Sequence, residues 1–446
     1  MARVLIVTVG GSPEPILRAV QLHQPDEVIF ACSAPPCPTP SLDQVIGSGT
    51  PCRHTHDGQV EWRPNLVTQL GLHNFRPDLQ IIELPDPDDL QGCLIQLRGF
   101  LQSLQHRFSQ LHLSGDFTGG TKSMSAALAF ALLEHNATLS VVSGPRDNLV
   151  RIDRSEGLRI IDPIPFLAHR LLQERLPALL EAHLYGRAAG LLRDFLRDQA
   201  DRLKAGQTQA LTQLVQQLDV LTLWDRFQWR EAIDLADTCG FAQLWPDLHA
   251  WWLRVDAATE WDSDQPAAVE ITGYELVQDL LLNAERRGRR GWYDDAVARL
   301  YRATELLAQT YLRLECRFTD PPDWTQSSLQ LLTGELVPNT GVRRLYRWLQ
   351  DRESPDGLGG LYGRQWREFN RLFTARNQSL LGHGLTPMDQ ASWQSLQNRI
   401  SNLLVQMLDE LGISQGPEPC QLPAQQLLSL PALSSLINTT DNTHNG

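Results

Sequence analysis

No stretch of the 446 residues stays apolar for the roughly 18 positions that a membrane-spanning helix needs, so no transmembrane segment is expected. The apolar run at the N-terminus, Val4-Leu5-Ile6-Val7, is too short for a secretory signal and reads as a first strand. Cysteine is scarce and odd in number. The seven (Cys32, Cys37, Cys52, Cys93, Cys239, Cys316, Cys420) are scattered and include no C-x-x-C pair. That pattern fits a reduced cytoplasmic protein better than a disulfide framework. Positive charge is also short, with 39 Lys and Arg against 52 Asp and Glu and a net charge of −13. This argues against a general DNA-coating protein, whose affinity rests on many phosphate contacts. It leaves room for RNA chemistry at one locally basic site. Cys37, Cys52, His54 and His56 lie close in sequence and invite a zinc reading, but their spacing is irregular. The Pro-, Ser-, Gly- and Thr-rich segment 34–60 that holds them reads as a solvated loop, and no metal site is expected.

The most informative stretch present is Leu111 to Met124. Leu111-His112-Leu113-Ser114 alternates as a buried strand does. Gly115, Gly119 and Gly120 follow, and Met124 to Leu133 is a strong helical run. Strand, glycine turn and helix in that order present free amides and the positive end of a helix dipole, which suits an anion. Thr118, Thr121 and Ser123 add hydroxyls, and Lys122 adds a charge. A Walker A loop is the first alternative, but Thr121 stands where its lysine belongs. A tight turn with no ligand is the second.

A similar unit opens the chain. Residues 3–9 form a strand, Gly10-Gly11-Ser12-Pro13 turns, and a helix begins near Pro15. In a doubly wound sheet both turns fall at the carboxyl edge. Strands are also expected at 24–33, 79–84 and 138–143, with a hairpin return at 149–152 and a helix over 86–108. Alternating strands and helices argue for a largely parallel sheet. Arg146 reads as a surface turn arginine.

After Pro163 nearly everything reads as helix. The pieces beginning at Tyr185, Phe227 and Trp292 look alike, but without a constant period. A long amphipathic helix is expected over 292–317, with Leu300, Leu306, Leu307, Tyr311 and Leu314 inward, ending at Asp320-Pro321-Pro322-Asp323. Between 340 and 376 eight arginines stand against four acids, a plausible phosphate-facing patch. The tail beyond Gly416 reads as disordered.

Two resemblances organise these observations. The strand leading into Asp116-Phe117-Thr118-Gly119-Gly120-Thr121-Lys122-Ser123-Met124 resembles the CARF domain, the CRISPR-associated Rossmann-like sensor of cyclic oligoadenylates. The resemblance implies that Thr118, Gly119, Gly120, Thr121 and Lys122 line a ligand site whose second wall is Gly10, Gly11 and Ser12. Further on, Arg376-Asn377 is followed by His383-Gly384, with six residues between arginine and histidine. This resembles the HEPN ribonuclease motif at the upper limit of its spacing. The expected architecture is an α/β Rossmann-like domain (1–160), a helical connector (161–267), an all-α HEPN domain (268–415) and a tail (416–446).

The resemblance implies an endoribonuclease that cuts single-stranded RNA without a metal or other cofactor, with cyclic oligoadenylate as activator. Histidine's ordinary pKa suits proton transfer near neutrality, so His383 would act as acid–base group. Arg376 would steady the phosphate, and Asn377 would orient either the phosphate or the histidine. One copy of the motif per chain implies a homodimer with a composite site. An inert sensor, or one that degrades its own ligand, stays open as an alternative.

Overall fold

The computed structural model describes residues 2–56, 59–108, 110–135, 137–143, 146–147, 151–152, 157–259, 269–315, 342–352, 355–413, 418–429 and 433. One compact unit gives way to a second between His169 and Arg170.

The first unit is built on a sheet of strands β1 (Ala2–Thr8), β2 (Glu27–Ser33), β3 (Ile81–Leu84), β4 (Leu111–Asp116), β5 (Thr138–Ser143) and β6 (Gly157–Ile161), in the order β6-β5-β4-β1-β2-β3. All neighbours are parallel except β6, which runs antiparallel on the edge of β5. The inner strands β1 and β2 carry unbroken apolar runs, Val4–Val7 and Val28–Cys32, because both of their faces are covered. Val4, Ile6, Ile29 and Leu113 face helices α2 (Leu90–Arg107) and α3 (Lys122–Glu134), while Leu5, Val7, Val28 and Phe30 face α1 (Glu14–His23). Gly115 lets α3 sit hard on β4, for a Cβ there would overlap the Leu132 side chain. From β1 the chain winds outward through β2 and β3, then returns to lay β4 on the other side of β1. The boundary between β1 and β4 is therefore the topological switch point, where such sheets open a crevice.

Three expectations are corrected. The antiparallel edge strand β6 was not anticipated. The strand expected at 79–84 is only Ile81–Leu84, because Pro77–Gln80 forms a helical turn. The segment 34–60 is not simply a loop: it holds a short helix, Leu42–Ile46, and a hairpin pairing Cys52–His56 with Gln59–Arg63. Single apolar anchors, Val45 and Cys52, tie it to the core, too few to produce a visible period. Beyond β5, Arg146–Asp147 pairs with Arg151–Ile152, and the side chain of Arg146 lies outside the described residues.

The second unit is helical. Helices α4 (Tyr185–Asp198), α5 (Ala205–Asp225), α6 (Trp229–Thr238) and α7 (Pro246–Thr259) precede α8 (Glu275–Arg289), α9 (Tyr293–Glu315), α10 (Val342–Arg352), α11 (Leu358–Gln378) and α12 (Gln390–Glu410). Leu300, Leu307 and Leu312 of α9 share one core with Phe369 and Phe373 of α11 and Leu404 and Met407 of α12. Leu306, Tyr311 and Leu314 pack on its margin. The proline break expected at 320–323 and Cys316 lie outside the described residues.

The expected connector is continuous with the following helices. Trp224 stacks on Trp252 with centroids 4.3 Å apart, and Phe241 stacks on Trp252 at 5.2 Å. Asp225, at the end of α5, receives three guanidinium groups from the end of α8: Arg286 at 2.9 Å, Arg290 at 2.7 Å and Arg287 at 3.3 Å. Within the expected tail, the described segment 418–429 is docked on the second unit. Leu422 and Leu427 are buried, the Tyr185 hydroxyl donates to the Pro423 carbonyl at 2.8 Å, and Arg286 donates to Gln421 Oε1 at 2.7 Å. A polar composition disfavours regular structure there, but two leucines and an amide suffice to dock an extended segment. Residues 434–446 lie outside the described residues.

His183 reports on this network. The Tyr185 hydroxyl spends its proton on Pro423, so His183 Nδ1, 2.6 Å away, must be the donor to Tyr185. Burial, reinforced by Arg286, Arg289 and Arg290, lowers the His183 pKa from 6.5 to about 3. The unfolded chain therefore takes up a proton that the folded chain refuses. Stability is full above pH 6.5 and declines as pH falls towards 3, by up to about 1.4 kcal/mol per pH unit. Urea titrations between those limits are expected to show this slope, and His183→Gln to flatten it.

Candidate functional site

Two clusters carry the residues that the sequence singles out. The first lies in the crevice at the switch point. Gly10 and Gly119-Gly120 meet backbone to backbone, since a Cβ on Gly10 would strike the Gly120 amide nitrogen and one on Gly119 the Thr8 carbonyl oxygen. Gly120 also has φ +80°, which side chains rarely adopt. The turn is anchored by the Gly119 carbonyl, which accepts from Thr8 Oγ1 at 2.7 Å and Ser125 Oγ at 2.8 Å. The amides of Gly10, Gly11, Gly119 and Gly120 donate to no acceptor among the described residues. They form a set of open donors at the start of α3, suited to an anion.

The hydroxyls behave differently from expectation. Thr121 caps α3, accepting from the Met124 amide at 3.2 Å, and donates to the Pro87 carbonyl. Ser123 donates to the Asp88 carbonyl at 2.8 Å. Thr118 Oγ1 accepts from the Val142 amide at 2.7 Å, and its hydroxyl is also engaged by the Asp116 carboxylate. Lys122 is exposed beside the turn, as is Gly11, with Ser12 half-buried. Asp116, beneath the turn, accepts from the Thr118 amide at 3.0 Å and Ser140 Oγ at 2.9 Å. Burial pushes its carboxyl pKa up against those hydrogen bonds. Thr8, Ser125 and Asp116 shape the turn; sequence reading gave them no role because their hydroxyl and carboxyl groups are directed at backbone rather than at ligand.

Two of the zinc candidates lie in the hairpin beside the start of α1, next to the Gly10–Ser12 turn. Cys52 and His54 are buried in the hairpin, with His54 Nδ1 3.4 Å from Glu14 Oε2. The side chain of His56 lies outside the described residues, and among those described no group of three His, Cys, Asp or Glu is placed to hold a metal.

The second cluster ends α11. Arg376 lies in the last turn of the helix, with its guanidinium 4.8 Å from the centroid of the Tyr301 ring, a cation–π seat. Its Nη1 donates to Asn377 Oδ1 at 3.1 Å. Ser379 stops the helix and is buried, its hydroxyl donating to the Arg376 carbonyl at 2.8 Å. The chain then folds back over the helix end. The amides of His383, Gly384 and Thr386 donate to the carbonyls of Asn377, Ser379 and Gln378 at 3.2, 3.2 and 3.1 Å. Gly382 and Gly384 permit this, for a Cβ on either would overlap the carbonyl of Arg376 or Gln378. The last turn of α11 and the loop folded back over it thus bring Arg376, Asn377 and His383 to one end of the helix, with Asn377 and His383 exposed and Arg376 half-buried.

Asp294 holds this loop at both ends. One carboxylate oxygen accepts from the Leu380 amide at 3.0 Å and the other from the Met388 amide at 3.1 Å. Its sequence position, an acid in the first turn of α9, reads only as a helix-start preference. Tyr301 was also missed; burial raises its phenol pKa, with Glu305 adding and Arg376 opposing. Arg302 and Glu305 form a surface pair at 2.6 Å. The arginine-rich segment is less free than its count suggests. Arg364 pairs with Glu410 at 3.0 Å and Arg371 with Glu368 at 2.8 Å, while Arg343 lies over Phe373.

Residues 268–407 match the family model described as the Csm6 HEPN domain. No curated protein matches the sequence closely enough to count as a relative. Among solved structures, the chain is similar to Enterococcus italicus Csm6 bound to cyclic hexa-2'-fluoro-hexa-dAMP, with a TM-score of 0.60 and 12% identity over 98% of this chain and 99% of that one. At that identity the likeness is one of fold. No described helix is long and apolar enough to cross a membrane.

Asp294→Asn removes one of the two carboxylate acceptors. Hydrogen exchange is expected to show faster exchange at the Leu380 or Met388 amide, reflecting a loss of roughly 1–3 kcal/mol of local protection, with α12 unchanged.

Proposed function

We propose that this chain, a CARF–HEPN protein of the CRISPR-associated kind, is an endoribonuclease switched on by a cyclic oligoadenylate. The observation that carries the reading is the placement of Arg376 and Asn377 in the last turn of α11 with His383 on the loop folded back over it, inside the segment that matches the Csm6 HEPN domain. The solved Csm6 with a cyclic oligoadenylate analogue supports the class of activator. The open amides at the β1–β4 crevice, together with Lys122, offer what a phosphodiester ring requires.

His383 moves the protons: one is taken from the attacking 2′-hydroxyl and one is given to the departing 5′-oxygen. The product is a 2′,3′-cyclic phosphate, so DNA is not a substrate. Arg376 meets the negative charge that builds on the phosphate, and Asn377 orients the Arg376 fork through the hydrogen bond they share. These steps are acid–base chemistry and need no metal. A single histidine cannot hold both protonation states at once, which favours a pair contributed by two chains. Leu380, Leu381 and Leu385 flank His383 on the surface, 54, 58 and 90% exposed. They give a second copy apolar area to cover. Ligand binding at the first unit then biases the pair towards working geometry, provided that the ligand prefers the active arrangement. The setting is cytoplasmic, where both RNA and the second messenger occur.

Purified protein mixed with fluorescent single-stranded RNA, with and without cyclic tetra- or hexa-adenylate, tests the reading. Cleavage is expected only with ligand, to persist in EDTA, and to leave cyclic phosphate ends. His383→Ala is expected to lower cleavage by about 100-fold or more while ligand binding is retained. Lys122→Ala is expected to raise the ligand concentration needed and to leave cleavage at saturation intact. Disappearance of ligand without RNA cleavage would instead identify a ligand-degrading sensor.

A further inference from the structure

Within the second unit, well away in sequence from the Arg376–His383 loop, the end of α5, the start of α4 and the α8–α9 turn enclose a cavity of about 410 Å³. Its walls carry four arginines, Arg187, Arg226, Arg287 and Arg290, against one carboxylate, Asp225. Asp225 is already shared among three guanidinium groups, Arg286 included, so it neutralises little of what faces the cavity. Asp295, 3.6 Å from Arg287, is also engaged by Arg299. Arg187 and Arg226 are exposed at the rim and make no ion pair among the described residues. Arg290 spends Nε and Nη2 on the carbonyls of Ala182 and His183 and on Asp225, and Arg287 spends its Nη2 on the Asp225 carbonyl. The Nη1 groups of both donate to no acceptor among the described residues. His183 lines the same wall, where its neutral ring leaves the positive sign to the arginines.

Positive charge gathered in a concave, partly dry space calls for a counter-charge. Guanidinium groups converging from three sides match the several oxygens of one phosphate better than a single carboxylate. The volume lies in the range of small-ligand sites. We propose that this cavity is a phosphate-binding site that takes free phosphate or a nucleoside monophosphate, held by Arg187, Arg226, Arg287 and Arg290. It does not depend on the ribonuclease reading. The α8–α9 turn that forms one wall contains Trp292 and leads directly to Asp294, the anchor of the Arg376–His383 loop, so occupancy bears on the part of the chain that sets the loop.

Calorimetric titration of the full chain with inorganic phosphate and with adenosine 5′-monophosphate, at ionic strength fixed with chloride, tests the site. Both probes are expected to bind. Tighter binding of the nucleotide would assign it as the source of the phosphate, and equal binding would assign free phosphate. The rim substitutions Arg187→Gln and Arg226→Gln remove exposed side chains that support no internal contact. Together they are expected to weaken binding roughly tenfold per guanidinium lost, with unchanged circular dichroism. Lys122→Ala, at the other candidate anion site, is expected to leave this binding intact. No heat at millimolar probe, equal binding by the doubly substituted chain, or loss of binding in Lys122→Ala instead would each overturn the proposal.

Discussion

The second unit turns on one carboxylate. Asp225 ends α5 and is met by Arg286, Arg287 and Arg290 from a single stretch at the end of α8. Removing three guanidinium groups and a carboxylate from water is costly unless all are satisfied, so the geometry tolerates little drift. The surrounding groups add partners to it. Asn283 donates to the Asp225 carbonyl, Gln421 receives Arg286, and Tyr185 ties the docked tail to His183. The helices before and after residue 268 are thereby parts of one body rather than a linker and a domain. A force applied to α4 or α5 reaches the α8–α9 turn through charged hydrogen bonds of low compliance.

The first unit depends on a different constraint, the absence of side chains where two turns touch. Gly10, Gly119 and Gly120 allow the ends of β1 and β4 to close on each other. The amides that this contact leaves unpaired are the same ones that make the crevice attractive to an anion. Packing and binding therefore come from one arrangement, and the hydroxyls of Thr121 and Ser123 serve mainly to hold it.

Much of this was legible in the chain. Alternating strands and helices implied a largely parallel sheet, and the strand–glycine–helix order placed both turns at its carboxyl edge. The Arg376–His383 spacing drew attention to the stretch that folds back over the end of α11. What escaped notice shares a physical cause. The Cys52–Arg63 hairpin and the 418–429 segment are pinned by one or two buried side chains, which leave no period to detect. Strand β6 is short, and none of its residues is fully buried. Asp294 acts on backbone amides 86 and 94 positions away, and nothing in its neighbourhood distinguishes it from an ordinary helix-start acid. Several arginines that seemed available are paired across helices, which a count along the sequence does not reveal.

The folded-back loop after α11 also sets a limit on sequence drift. Gly382 lies against the Arg376 carbonyl and Gly384 against that of Gln378, with His383 between them. Adding or deleting one residue after Ser379 would slide a side chain into one of those contacts. Segment length is thus locked by main-chain crowding, independently of any demand from chemistry.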